Sequence, residues 1–442
     1  MKFLAILKDS LREALDTKVF YVMVAFSLLV VLLLGSIGYR PVSVEEEAHR
    51  FTEQTSWLLA HFAGQHHLGP PPRWYVKDFE QTQPGAAPWQ TGYRFTLCIE
   101  FADEEEAKQP FAFLQKALLN DLQRQLQQVF FYLKNIKIVE VPSPNTKELR
   151  YLVTAEAGTA TRAQDWPHYP VFLFTLPLRS WQQPVGAFVL FWESYLVNWI
   201  GGAIALLIST IITAFFIPNM LRKGTVDLLL VKPLSRPLLL LYKYIGGLTF
   251  IFLNTVVVVV GVWLVLGLRT QLWGTGFLFS IFVLTFQFAL YYAVSTLFAV
   301  FSRSSVVAIL MTCLFWFVFA FVIGYGYYWV DLSRKWNVVL QIQVEAQGGE
   351  KLDKEMMPEK LFPDAVYTVA DIIHLVTPHL KDLDTLTDKW IIEDVLPPND
   401  LRRKMAEKTY AGFRWLETLS VTSLYVVVLL AVSCWWFARK DY

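Results

Sequence analysis

RKGTVDLLLVKPLSRPLLLLYK, residues 222–243, interrupts a hydrophobic chain with basic residues, a glycine and two prolines, yet keeps Leu228, Leu229, Leu230 and Val231 inside the break. The stretch is too short for a domain and too apolar for a solvated linker. Gly224 permits a turn, and Thr225 or Asp227 can offer oxygen to the free N–H groups of a short helix. Leu228–Val231 give that helix an apolar surface, and Pro233 stops it by withholding a donor. Lys232, Arg236 and Lys243 are placed to meet lipid phosphate or an acidic partner. What flanks the stretch decides its reading.

The flanks are blocks long enough to cross a bilayer, which takes about 20 residues as helix. Six stand out: Val19–Gly38, Tyr195–Pro218, Tyr244–Leu268, Phe277–Phe301, Val306–Val330 and Thr418–Phe437. The whole 442-residue chain is 55% hydrophobic and only 17% charged, against about 25% charged in soluble domains. A polytopic α-helical membrane protein with six transmembrane helices is the expected fold. The first block exceeds a signal-peptide core and lacks a small-residue cleavage site, so it reads as a retained anchor.

Basic residues orient the spans. Lys2, Lys8, Arg12 and Lys18 precede the first, Arg222, Lys223, Lys232, Arg236 and Lys243 follow the second, and Arg439 and Lys440 follow the last. The short loop Arg269–Gly276 carries one. Both termini and the opening stretch are therefore expected on the cytoplasmic side of the inner membrane, with 39–193 and 331–417 outside. Trp192, Tyr195 and Trp199, and then Tyr327, Tyr328 and Trp329, mark outer interfaces.

Five regions follow. Residues 1–38 combine the first span with an interfacial helix in MKFLAILKDSLREALD, whose Phe3, Leu4, Leu7 and Leu11 share one face. Residues 39–193 are expected to form an extracytoplasmic α+β domain. There YRFTLCIEF (93–101) alternates as a half-buried strand and a helix is expected over about 110–134. ELRYLVTA (148–155), VFLFTLPL (171–178) and PVGAFVLFW (184–192) read as further strands, the last two as a hairpin; the arrangement is similar to PAS/Cache-like sensor domains. Residues 194–330 hold spans two to five with the loop 219–243. Residues 331–417 read as a second, mainly helical extracytoplasmic segment, and 418–442 as the last span with its tail.

The chemistry is sparse. Spans two to five contain no Asp, Glu, Lys, Arg or His, which argues against an ion-coupled carrier. Asn198, Asn254, Gln287, Tyr291 and Tyr292 are the polar side chains at depth; they either join helices or line a substrate path. No GxxxxGK[ST], G-x-S-x-G or H-E-x-x-H motif occurs, so neither catalytic residues nor a cofactor are expected in the chain. Cys98, Cys313 and Cys434 are too dispersed for a disulfide framework. HFAGQHH (61–67) is the one histidine cluster and reads as an exposed polar loop, so no metal site is expected.

FFIPNMLRKGTVDLLLVKPLSRPLLLLYKYIGGL resembles the cytoplasmic loop of type-two ABC transporter permeases, the exporter-like group that includes the nitrous-oxide-reductase maturation permease. The resemblance rests on Gly224, Thr225, Asp227, Leu228, Leu229, Lys232, Pro233, Ser235, Arg236, Lys243, Tyr244 and Gly246. It implies that Gly224–Arg236 dock into a separate cytoplasmic ATPase, which binds ATP and Mg. A second permease copy completes the complex, a homodimer by that resemblance. No nucleic acid is expected as partner. Two other readings stay open: a membrane-anchored sensor or scaffold whose outer domain binds a ligand or partner, and a membrane enzyme acting on lipid or cell-wall precursors.

Overall fold

A computed structural model describes residues 18–66, 70–102, 133–157, 163–220, 235–346, 361–396, 400–410 and 414–439. The expected interfacial helix, the helix over 110–132, His67 and most of the 219–243 loop lie outside the described residues. The chain divides into two compact units, Ser36–Phe188 and Met1–Gly35 with Val189–Tyr442.

The Ser36–Phe188 unit is built on an antiparallel sheet. β1 (Gly38–Pro41) is followed by helix α1 (Val44–His66), then β2 (Arg73–Gln81), β3 (Gly92–Glu100), β4 (Leu133–Val141) and β5 (Glu148–Ala157), the last four ordered β2-β3-β5-β4. The alternation in 93–101 gives Tyr93, Phe95, Leu97, Ile99 and Phe101 to the core, each at most 6% exposed. They pack with Trp74, Tyr151, Val153 and Trp166 and with Val44, Ala48 and Phe51 of α1. Burial on this scale contributes about 1.5–3 kcal/mol per large side chain. Cys98 lies in the same strand, and burial pushes its thiol up to about 11, which leaves it unreactive.

Several expectations fail in this unit for local reasons. VFLFTLPL is not one strand: β6 (Pro167–Phe172) turns at Leu173 and Phe174, both at positive φ, and pairs with β7 (Leu176–Pro177). PVGAFVLFW is not a strand beyond Gln183–Pro184 (β8), because helix α2 runs over Val185–Tyr195. Pro184 sits just before that helix, where its missing N–H costs nothing. The histidine stretch is not a loop, since α1 continues through His66, with His61 stacked on Trp57 at 5.4 Å. Leu133, expected on the helix core face, opens β4 instead.

The other unit is helical. Helix α3 (Lys18–Gly35) ends three residues before the expected span does. A π-helical stretch, Leu196–Ala205, leads into α4 (Leu206–Thr213) and α5 (Phe216–Met220). Helix α6 (Arg236–Thr270) begins eight residues earlier than expected, so Arg236–Lys243 are helix rather than loop. Ser235 is its extended N-cap residue and Pro237 occupies the first turn, which accepts a residue without an N–H.

Helix α7 (Ser280–Ser302) follows a 3₁₀ turn at Gly276–Phe279. Helix α8 (Ser305–Trp316) continues through a second π-helical stretch, Phe317–Gly324, into α9 (Tyr325–Ala346), so no break occurs at residue 331. After α10 (Asp364–Val376), α11 (Leu380–Val395) and α12 (Leu401–Thr409), the chain ends its described part in α13 (Trp415–Arg439). Among the described residues, four helices are long and apolar enough to cross a membrane: Arg236–Thr270, Gly276–Ser302, Ser305–Asn337 and Trp415–Arg439. Tyr21–Gly35, Val185–Ile200 and Ile208–Pro218 are shorter apolar helices. Gly276–Ser302 is the central one, with 72% of its most apolar stretch buried.

Candidate functional site

LKDLDTLTDKWIIEDV forms α11 and looks too polar to enter a greasy bundle. Its stripe of Leu380, Leu383, Leu386, Thr387, Ile391 and Val395 is nevertheless buried. Asp384 and Asp388 follow Leu380 at four and eight residues and therefore share that face. The helix packs against α7, α13 and both π-helical stretches. Such wide turns often occur at functional positions.

The aspartates meet the polar side chains that the apolar helices carry. Gln287 Nε2 on α7 donates to Asp384 Oδ1 at 2.8 Å, and Lys381 Nζ donates to Asp384 Oδ2 at 3.2 Å. The Lys381 ammonium also lies 4.9 Å from the centre of the Tyr325 ring. Asn198 Nδ2, in the first π-helical stretch, donates to both oxygens of Asp388 at 3.3 and 3.1 Å. Further along, Asp394 Oδ2 accepts from the Gly276 N–H at 2.5 Å and from Thr275 Oγ1 at 3.2 Å. A side chain at Gly276 would meet the Trp390 carbonyl at 2.7 Å, so only glycine allows this approach.

Burial decides the charge states. It raises Asp388 to about 6, against the hydrogen bonds from Ser194 and Asn198 that favour the carboxylate. Asp384 is raised as well, by burial first, with Lys381 and Gln287 opposing. Burial is the largest single influence on the Lys381 ammonium and lowers it, but the Asp384 charge and hydrogen bond, with Tyr325 and Asp388, together carry the net direction up. A cavity of about 100 Å³ opens beside these groups, lined by Asn198, Gln287, Tyr291, Tyr325, Lys381 and Asp384. Asn198 Oδ1 and Gln287 Oε1 are buried there without a hydrogen-bond partner among the described residues. They are acceptors for water or for a donor group on a ligand.

Three of the five polar residues expected at depth thus converge: Asn198, Gln287 and Tyr291. The other two lie elsewhere. Asn254 Oδ1 accepts from Ser27 Oγ at 3.1 Å, joining α6 to α3, and borders a mostly apolar cavity of about 190 Å³. Tyr292 stacks on Tyr244 with ring centres 5.1 Å apart and leaves no room for a side chain at Gly247, so it serves helix packing. Of the residues expected to dock an ATPase, Gly224, Thr225, Asp227, Leu228, Leu229, Lys232 and Pro233 lie outside the described residues. Ser235 and Arg236 open α6.

Sequence reasoning missed Lys381, Asp384 and Asp388. Spans two to five, as bounded in the sequence, hold no Asp, Glu, Lys, Arg or His, but α11 brings three ionisable groups to them from a segment read as extramembranous. The available signal was the coincidence of two aspartates with the apolar stripe.

Long apolar helices around a polar seam define a multi-pass membrane protein of the transport type. The chain belongs to the ABC-2 family of transporter proteins, whose family model matches residues 4–442, nearly its whole length. It is a type-two ABC permease, a membrane subunit without an ATPase motif of its own, and the family implies a separate ATPase as partner. No curated protein matches it.

Proposed function

We propose that this permease is driven by a cytoplasmic ATPase that docks on 219–243, and that α11 is the gate of its outward path. Transport is export, and two copies with two ATPases make the working complex. Six spans place both termini in the cytoplasm and put Ser36–Phe188 outside the inner membrane, with α11 folding back into the bundle from the outer segment that follows α9. The observation that carries the gate is the engagement of Gln287 by Asp384 and of Asn198 by Asp388, which closes the polar seam among the apolar helices.

Closure of the ATPase pair on ATP would push the loop after α5 and tilt α6. The shift in population is set by the difference in ATP affinity between the two states. Opening then exchanges the α11 carboxylates for water or cargo at Asn198 and Gln287. The test is co-purification and ATP-dependent activity after Pro233→Ala and Arg236→Ala. Loss of both supports docking at 219–243, and retention of both rejects it.

A further inference from the structure

We propose that the cavity between α3, α4 and α6 holds one acyl chain of a bilayer lipid, taken in sideways from the membrane. The inference stands apart from the gate and from the cargo. The lining runs from Val22 to Val30 on α3 and from Ile251 to Val259 on α6, about 12 Å along each helix axis. Leu196 and Ile200 of the first π-helical stretch and Ile208 and Ser209 of α4 complete the walls.

The slot follows from how these helices pack. Toward the Gly35 end of α3 the two long walls touch closely. A side chain at Gly261 would meet Val31 at 2.8 Å, and one at Gly35 would meet Val265 at 3.3 Å. On the other side of that contact the neighbouring wall is the π-helical stretch, whose wide turns carry the run Gly201-Gly202-Ala203 and so supply little bulk. Met23, Leu206 and Ile251 back onto the buried core around Phe250 and Phe288, which closes one side of the slot.

The wall chemistry selects hydrocarbon. Ser27 Oγ donates to Asn254 Oδ1 at 3.1 Å, and Thr255 Oγ1 donates to the Ile251 carbonyl at 2.9 Å, so these polar atoms are spent on the protein. A buried water needs about two to four polar partners, and an apolar cavity of about 150 Å³ stays dry and takes up benzene. This cavity, at about 190 Å³, is larger and is drawn out along two helices, which suits a methylene chain better than a ring. Left empty, it would forfeit dispersion contacts on every wall.

The mouth decides which molecule enters. Three lining residues are exposed, Val22 at 66%, Phe26 at 43% and Ile208 at 40%, and they stand on α3 and α4. The exposed apolar surface continues beside them through Leu29 and Leu32 of α3 and Ile211 and Phe215 of α4. On apolar helices of a membrane subunit such a surface faces lipid tails, which are therefore the molecules at the opening. A chain in place would prop α3 off α6 below their contact at Gly261.

The test places the full chain in phosphatidylcholine nanodiscs doped with a phosphatidylcholine that carries a diazirine on one acyl chain. After illumination the labelled positions are mapped by mass spectrometry. A chain walled by protein inserts into it more often than one passing an open helix face. Labelling at Met23, Ser27, Asn254 and Val258 should exceed that at the exposed Leu424, Val427 and Val428 of α13 by about tenfold, equal to a preference of about 1.4 kcal/mol. Ser209→Phe, which fills the slot, should bring the cavity positions down to the α13 level and leave α13 unchanged. Equal labelling of cavity and α13 overturns the site, and so does undiminished labelling in Ser209→Phe. If a second permease copy covers the mouth instead, the cavity positions stay unlabelled and the site is likewise rejected. Where Ser209→Phe does not fold, Val258→Phe fills the slot from α6, and the ratio in the unsubstituted chain decides without any variant.

Discussion

Glu148 in the β-sheet unit is a buried carboxylate and Asp388 in the helical unit a partly buried one, and their environments push them in opposite directions. Arg150 holds Glu148 down at about 2, by a 2.9 Å ion pair, with Tyr75 donating at 2.8 Å. Among the described residues Asp388 receives hydrogen bonds only from neutral donors, and burial carries it up to about 6. The difference is the partner: a guanidinium compensates desolvation and an amide does not. One carboxylate is a fixed brace. The other gains or loses its charge near pH 6.

The comparison can be broken most forcefully at Lys381, which is to Asp384 what Arg150 is to Glu148. Lys381→Ala leaves a buried carboxylate without its cation and should destabilise the helical unit by about 3–5 kcal/mol, read by denaturation in detergent. Next comes Asp388→Asn, which keeps shape and removes the ionisation. A folded pKa above the unfolded one means stability that is full below about pH 4 and is lost as pH rises through about 6. The variant should be pH-independent over that window and more stable than the parent at pH 7.5 by about 3 kcal/mol.

Glu148→Gln should show the reverse sign. A depressed pKa contributes stability above the unfolded value near 4.5 that is lost as pH falls toward about 2. At pH 7 the variant should lose about 1.5–3 kcal/mol, the range for charge-assisted bonds, and the two melting curves should converge near pH 2. The smallest effect belongs to Ser27→Ala, which removes the hydrogen bond to Asn254 between apolar helices. About 0.6 kcal/mol is expected, measured by the same denaturation.

Residues whose environment is set by their own neighbours in the chain were legible in the sequence. Tyr93–Phe101 alternated and formed β3; the apolar blocks 277–301 and 418–437 formed helices close to their expected limits, and 244–268 lies inside the longer α6. The failures share a physical cause. Nothing in PVGAFVLFW distinguishes a buried strand from a buried helix, because an apolar run of that length satisfies both periods. In VFLFTLPL the turn uses Leu173 and Phe174 at positive φ, where no glycine or asparagine announces it. Asn198 and Gln287 were recognisable as polar groups at depth, but their partners lie 190 and 97 residues away. Only the folded chain brings α11 to them.

The account depends on α11 leaving the seam when the transporter is powered. The direct measurement places cysteines at Gln287 and Asp384, in a background without Cys98, Cys313 and Cys434, and follows their disulfide formation in the permease–ATPase complex. The pair should cross-link readily without nucleotide and lose most of that reactivity when the ATPase is trapped with ATP. Equal cross-linking in both states would contradict the gate.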